Sequence, residues 1–231
     1  MVLRGIIIKI YVFAPHPDDE VFGAGGSILK WLEEGHDVHI IWLTDGRAGY
    51  RKPRMTGDLE DNEATRINEE QLAEKRLKEA AASARTLGIN PENCYYLKYH
   101  DADLQNHIYD AVLRLTRIVK DPNRFVIPSS NNEHADHQAT YDIAVRVAEK
   151  LRLSDIEFYV YAVHTALKAE GEHLVNVRFG NLRFKALEAL KEHQSQFFTT
   201  DLKWQSKWVE GKRRDYFGRY KLKDKGKYFN F

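Results

Sequence analysis

One cysteine, no long apolar run and almost no net charge limit what this chain of 231 residues can be. The single cysteine, Cys94, excludes an internal disulfide and a zinc site built on thiolates. Its setting, "ENCYYLKY", reads as a small buried side chain at the start of a strand. No stretch is apolar for long enough to span a bilayer. The opening "MVLRGIIIKIYVFA" has a signal-like basic start, but Lys9 interrupts it, a small-residue cleavage site is missing, and it runs straight into an acidic motif. It reads as a buried strand, and the chain as a soluble cytoplasmic protein. A formal net charge of +1 gives no whole-chain pull toward nucleic acid or acidic membranes. Internal repeats, low-complexity linkers and composition breaks are also missing. With 43% hydrophobic and 30% charged residues, residues 1–231 read as one globular domain, with a core over about 6–198 and a basic, aromatic extension over 199–231.

What is present alternates strand with helix. "IIIKIYVFA" (6–14) is a β-branched run suited to the middle of a parallel sheet, and "VFGAGGSILKWLEEG" is a helix closed by Gly35. A strand at 36–44, a polar loop or lid from Arg51 to about Glu69, and a helix stopping at Gly88 follow. Next come the strand "CYYLKY", a helix at about 105–119, a strand at 124–129 and a helix within 131–151. The pattern predicts an α/β fold, a Rossmann-like, mostly parallel sheet covered by helices on both faces. "IEFYVYAVH" and "HLVNVRF" add two C-terminal strands with antiparallel pairing open to them, and "NLRFKALEALKEHQSQF" is a final helix. In the extension, Trp204, Trp208, Tyr216, Phe217 and Tyr220 are read as packing on the domain while the lysines face water.

Ligands of such sheets bind at the carboxyl ends of the strands. Four loops leave those ends, "PHPDDE", "TDGRAGY", "KYHDADL" and "SSNNEHADH", and all are rich in coordinating and ionisable groups. A dinucleotide loop does not fit, because Ile28 stands where the third glycine of the fingerprint belongs and Asp18, Asp19 and Glu20 would meet the pyrophosphate anion to anion. A divalent cation does fit three adjacent acids. His16 and Asp19 are three residues apart, and His134 and His137 repeat the spacing, so either pair can point at one ion. A catalytic centre needs three protein ligands and an open position, which His16, Asp19 and His137 supply. Asp18 and His134 are then left as ionisable groups beside the ion, a division that suits metal-assisted hydrolysis.

"PHPDDEVFGAGG", "TDGRAG", the helix carrying Arg76 and Glu79 before "LG", "HDADL", "EHADHQAT" and "ALEALKEHQSQF" together resemble the LmbE-like, or PIG-L, family of zinc-dependent de-N-acetylases. The likeness runs in the same order over about residues 6–198. It implies a single LmbE-like domain and removal of an acetyl or other acyl group from a glucosamine-type sugar or glycoconjugate. It further implies that His16, Asp19 and His137 bind one zinc per chain, that Asp18 is the general base, and that His134 polarises or protonates the tetrahedral intermediate. Asp136 would orient and charge-stabilise His134, while Arg76 and Asp101 would contact sugar hydroxyls or order the pocket. One departure is Ala135, where the family often has proline.

Arg47 is read either as a partner of the acidic cluster at the substrate or as an exposed side chain, and His164 either as pocket lining or as packing. His193 either approaches the site from the last helix or caps and packs it. Fe(II) also suits two imidazoles and a carboxylate. Two rival functions are a catalytically silent carbohydrate-binding relative, which would leave Asp18 and His134 with nothing to do, and a metal-dependent phosphoesterase, which typically wants a two-metal carboxylate cluster. Exposed sheet edges or the extension leave a homo-oligomer open.

Overall fold

β1 (Lys9–Ala14) and β2 (Asp37–Thr44) are buried along almost their whole length, as strands covered on both faces must be. They pair in parallel, with Lys9 opposite Asp37 and Ala14 opposite Trp42. The computed structural model describes residues 6–224 and 231, leaving out the side chains of residues 200–205. Within it, seven strands form one sheet in the order β3 (Cys94–Tyr99), β2, β1, β4 (Arg124–Pro128), β5 (Glu157–Tyr161), β7 (Arg214–Lys221), β6 (Leu174–Arg178). The first five are parallel, β7 runs antiparallel to β5, and β6 antiparallel to β7.

Alternation along the central strands sends side chains to two separate cores. Ile10, Val12, Trp42 and Tyr161 pack under α1 (Asp19–Glu33), α3 (Glu69–Leu87) and α6 (Arg183–Lys191). Tyr11, Phe13, Ile41 and Phe125 pack under α4 (Ile108–Ile118) and α5 (Ala135–Lys150). α3 starts where the sequence places it, because Asn68 and Gln71 cap each other's backbone amides, and it stops at Gly88 with φ +90°. No described helix is long and apolar enough to cross a membrane.

Four expectations need correction. "IEFYVYAVH" contributes a parallel strand, β5; the antiparallel pairing belongs to β7 and β6. The extension is not merely laid on the domain, since "RDYFGRYK" forms β7 and is inserted between β5 and β6. There Phe217 and Tyr220 are buried, whereas Trp208 and Tyr216 remain exposed; residues 225–230 and the Trp204 side chain lie outside the described residues. The polar segment from Arg51 is partly helical, with α2 at Arg51–Thr56 and a 3-10 turn at Glu63–Thr65. The last predicted helix breaks after Lys191 into a 3-10 turn, Gln194–Phe198, and a further helix, α7 (Thr200–Gly211), follows it.

The connection from β1 leads to β2 on one side, while β4 lies on the other. That reversal opens a crevice at the carboxyl ends of β1 and β4. The loop from β1 into α1 and the loop from β4 into α5 face each other across it.

Candidate active site

His16 leaves β1 two residues after its last strand residue, and Asp19 opens α1, so the short turn between them brings both side chains to the crevice. Asp19 Oδ2 accepts the His16 backbone N–H at 3.0 Å and lies 3.0 Å from His16 Nδ1. From the opposite loop His137, in the first turn of α5, brings Nε2 to 3.4 Å from the same oxygen. One donor atom from each of these three buried residues falls within 4.8 Å of the others. Two imidazole nitrogens and a carboxylate oxygen at that spacing form a donor set suited to zinc or another borderline cation.

The outer edges of both rings are held. His16 Nε2 lies 3.1 Å from Asp101 Oδ1 and 3.2 Å from Asp136 Oδ2. His137 Nδ1 lies 3.3 Å from Asn132 Nδ2, an amide anchored on the Val163 carbonyl and the His134 N–H. Burial disfavours a charged His16, yet Asp101, Asp136 and Asp19 outweigh it and hold the imidazole well above its ordinary pKa. Burial likewise opposes ionisation of Asp19 and Asp101. His137 and His16 nonetheless keep Asp19 well below the carboxylate range, and His16 with Arg76 lowers Asp101. Each of these shifts favours the charged form of its group, and a cation taken up by the same donors would displace their protons.

Asp18 stands apart from that set. Its Oδ2 accepts Arg76 Nη2 at 2.9 Å, and burial pushes its pKa up to about 6, opposed by Arg76 and assisted by Asp19 and Glu20. His134 is the N-cap of α5, its Nδ1 accepting the Asp136 N–H at 3.3 Å, so Ala135 takes the first helical position without loss of the turn. Its ring meets His16 edge-on with centroids 4.7 Å apart. The surrounding protein and the neighbouring His16 and His137 lower its pKa, although one edge faces solvent.

These groups floor a cleft of about 420 Å³, walled by Phe22, His164, Gln196, Arg51 and Met55 among others. His164, held at φ +59°, thus lines the cleft. Gln196 is brought there by the 3-10 turn after α6, which Glu79 fixes by accepting the Ser195 N–H and Oγ at 2.8 and 2.6 Å.

The other residues singled out in the sequence take the following places. The Asp136 carboxylate acts on His134 through its charge, while its hydrogen bonds go to His16 and to the amides of Ala102 and Leu104 at 2.7 and 3.1 Å. Asp101 borders the cleft, but its bonds go to His16 and the Ala48 N–H. Arg76 is buried against Asp18, the Pro17 carbonyl and the Gly46 carbonyl. A Cβ at Gly46 or Gly49 would fall 2.6 or 2.9 Å from its guanidinium, so both positions must lack a side chain. Arg47 is turned to Asp45 at 2.7 Å and Glu70 at 3.4 Å and does not line the cleft; Arg51, a turn later, does. His193 is wholly buried beneath the site with Nε2 3.2 Å from Glu20. Sequence reasoning missed Glu20, Asn132 and Gln196, of which only Glu20 had a signal, as the acid left over in "PDDE".

Residues 11–148 match the PIG-L family, described as GlcNAc-PI de-N-acetylase. A probable N-acetyl-alpha-D-glucosaminyl L-malate deacetylase 2 of Bacillus anthracis is 30% identical over an alignment covering 94% of this chain and 97% of its own. The diacetylchitobiose deacetylase of Thermococcus kodakarensis is 33% identical over 96 residues, 42% of this chain and 31% of that enzyme. The solved N,N'-diacetylchitobiose deacetylase from Pyrococcus horikoshii superposes with a TM-score of 0.73 at 25% identity, over 94% of this chain and 85% of that one. The match from Tyr11 to Ala148 takes in both loops of the crevice, and the chain belongs to the PIG-L de-N-acetylase family.

Proposed function

We propose that this protein is a zinc-dependent hydrolase that removes an N-acetyl group from a glucosamine-type sugar or glycoconjugate. The observation that carries the reading is the meeting of His16, Asp19 and His137 donor atoms within 4.8 Å, with Asp18 on the same cleft but outside the donor set. His16, Asp19 and His137 would hold one zinc per chain, and Fe(II) suits the same donors. Such an ion supplies Lewis acidity toward the amide carbonyl and the attacking water.

The remaining steps belong to the chain's own groups. Asp18 takes a proton from the water, a role suited to a carboxyl whose pKa is pushed up to about 6. His134 stands at the cleft beside the donor set and donates toward the developing oxyanion or the leaving amine. Asp101 and Asp136, bonded to the far edge of His16, fix that ring for coordination. Arg51, Met55 and His164 line the outer cleft, where the rest of the sugar or its aglycone would lie.

The test is a mass-spectrometric screen of N-acetylglucosamine derivatives with zinc-loaded protein, with and without a chelator. A mass loss of one acetyl group that the chelator abolishes is expected, with elemental analysis giving one zinc per chain. Two metals per chain, or no acetyl loss from any N-acetylglucosaminide, would overturn the reading.

A further inference from the structure

Glu20 is the third acid of the opening motif, and it is not among the three cation donors. It is fully buried in the first turn of α1, and both its oxygens are engaged. Oε2 accepts the Asp18 backbone N–H at 3.0 Å and Trp42 Nε1 at 2.8 Å. Oε1 lies 3.3 Å from Ser83 Oγ and 3.2 Å from His193 Nε2. Arg76 takes hold from the side-chain end, donating to Asp18 Oδ2 at 2.9 Å and to the Pro17 carbonyl at 2.6 Å.

Between these two grips, Asp18 adopts φ +127° and ψ −28°. That lies outside the regions open to an L-residue, including the left-handed region that aspartate sometimes visits. Such a conformation persists only where the surroundings over-determine it, and it concentrates at functional sites. The amide N–H and the side chain sit at opposite ends of the N–Cα bond, so fixing both fixes φ. Glu20 holds the first and Arg76 the second.

We propose that Glu20 and Arg76 are positioning residues that clamp Asp18 in its strained conformation and so aim its carboxylate into the cleft. This rests on the reading of Asp18 as the proton acceptor. It also accounts for the third acid, since Glu20 pins the backbone from below, through a fully buried carboxylate, and stays clear of the cation donors. Gly46 and Gly49 belong to the same device, because their missing side chains leave the space that the Arg76 guanidinium occupies.

The experiment compares Glu20→Ala and Arg76→Met with wild type in zinc content, kcat and KM on an N-acetylglucosaminide. It also compares the melting temperatures of metal-free Asp18→Gly and Asp18→Ala. Misaiming the carboxylate should lower kcat by about 100-fold in both clamp variants, with zinc retained and KM within about twofold. Asp18→Gly should melt a few degrees above Asp18→Ala, because glycine accepts this φ while alanine does not, despite glycine's freer unfolded chain. A loss confined to KM, as a sugar-contacting Arg76 would give, overturns the proposal. So does Asp18→Gly melting no higher than Asp18→Ala. If Glu20→Ala does not fold, Arg76→Met and the melting comparison decide. Full activity in Asp18→Asn would instead sink the base assignment, leaving the melting comparison to report on the strain alone.

Discussion

His16 Nε2 lies 3.1 Å from Asp101 Oδ1, while Nδ1 of the same ring lies 3.0 Å from Asp19 Oδ2. One imidazole thus joins an outer carboxylate to an inner one. With a cation bound, the outer contact would keep the ring proton on Nε2 and leave Nδ1 for the ion. Replacing Asp101 by Asn should weaken zinc affinity by about 10–100-fold, the usual cost of losing such a partner. Competition against a chromogenic chelator measures it. Unchanged affinity would mean that Asp136, 3.2 Å away, orients the ring unaided.

Substitutions at Asp18 and His137 should separate chemistry from metal retention. Asp18→Asn keeps the His16, Asp19 and His137 donors, so it should bind zinc normally and lose about 100-fold or more in kcat. His137→Ala removes one of the three proposed ligands and should lose the metal. Elemental analysis alongside turnover distinguishes the two, and an Asp18→Asn protein as active as wild type contradicts the base assignment.

His193 predicts a pH dependence of stability. Burial lowers the pKa of this imidazole, but Glu20 and the nearby Asp18 outweigh burial and Arg76, so its folded-state value is raised. A raised value means that the folded protein binds the proton more tightly than the unfolded chain does. The stabilisation is then complete below the ordinary value of 6.5 and fades as pH rises through the folded-state value. Wild type should exceed His193→Gln most in urea denaturation at acidic pH, with the gap narrowing above neutrality. A gap that widens with pH would reverse the sign.

Phe217 tests whether the C-terminal strand is part of the core. It is fully buried, with its ring 6.0 Å from Trp31 and 5.3 Å from Tyr159. Phe217→Ala should cost about 3–5 kcal/mol in denaturant unfolding, the range for deleting a buried aromatic ring. Zinc stoichiometry should stay the same, because Phe217 does not line the cleft. A cost within about 0.5 kcal/mol would be that of a surface position.

The parts of this molecule readable in its sequence are those governed by local spacing. Near-continuous apolar runs announce β1 and β2, and a capping pair with a terminal glycine bounds α3. The His16–Asp19 and His134–His137 spacings are single turns, visible as such. β7 is hard to see because Arg214, Arg219 and Lys221 give "RDYFGRYK" the look of a solvated tail, although Phe217 and Tyr220 in it are buried. Contacts between distant segments are equally hidden. Asp136 lies 120 residues from the His16 ring it touches, so its partner depends on how two loops meet in space. Which arginine of "GRAGYR" reaches the cleft depends on the phase of the 3-10 turn at Arg47–Tyr50, which turns Arg47 back to Asp45.

β1 and β4 are joined by a short ladder, Ile10 to Val12 against Arg124 to Val126, and the loops that continue beyond it lead into the helix starts that carry Asp19 on one side and His137 on the other. An ion gripped by both would act as a rivet across the midline of the sheet, well past the last backbone bonds of that ladder. Loading should therefore slow amide exchange along this seam more than at the β6 margin, and removal of the ion should let the two halves part there first.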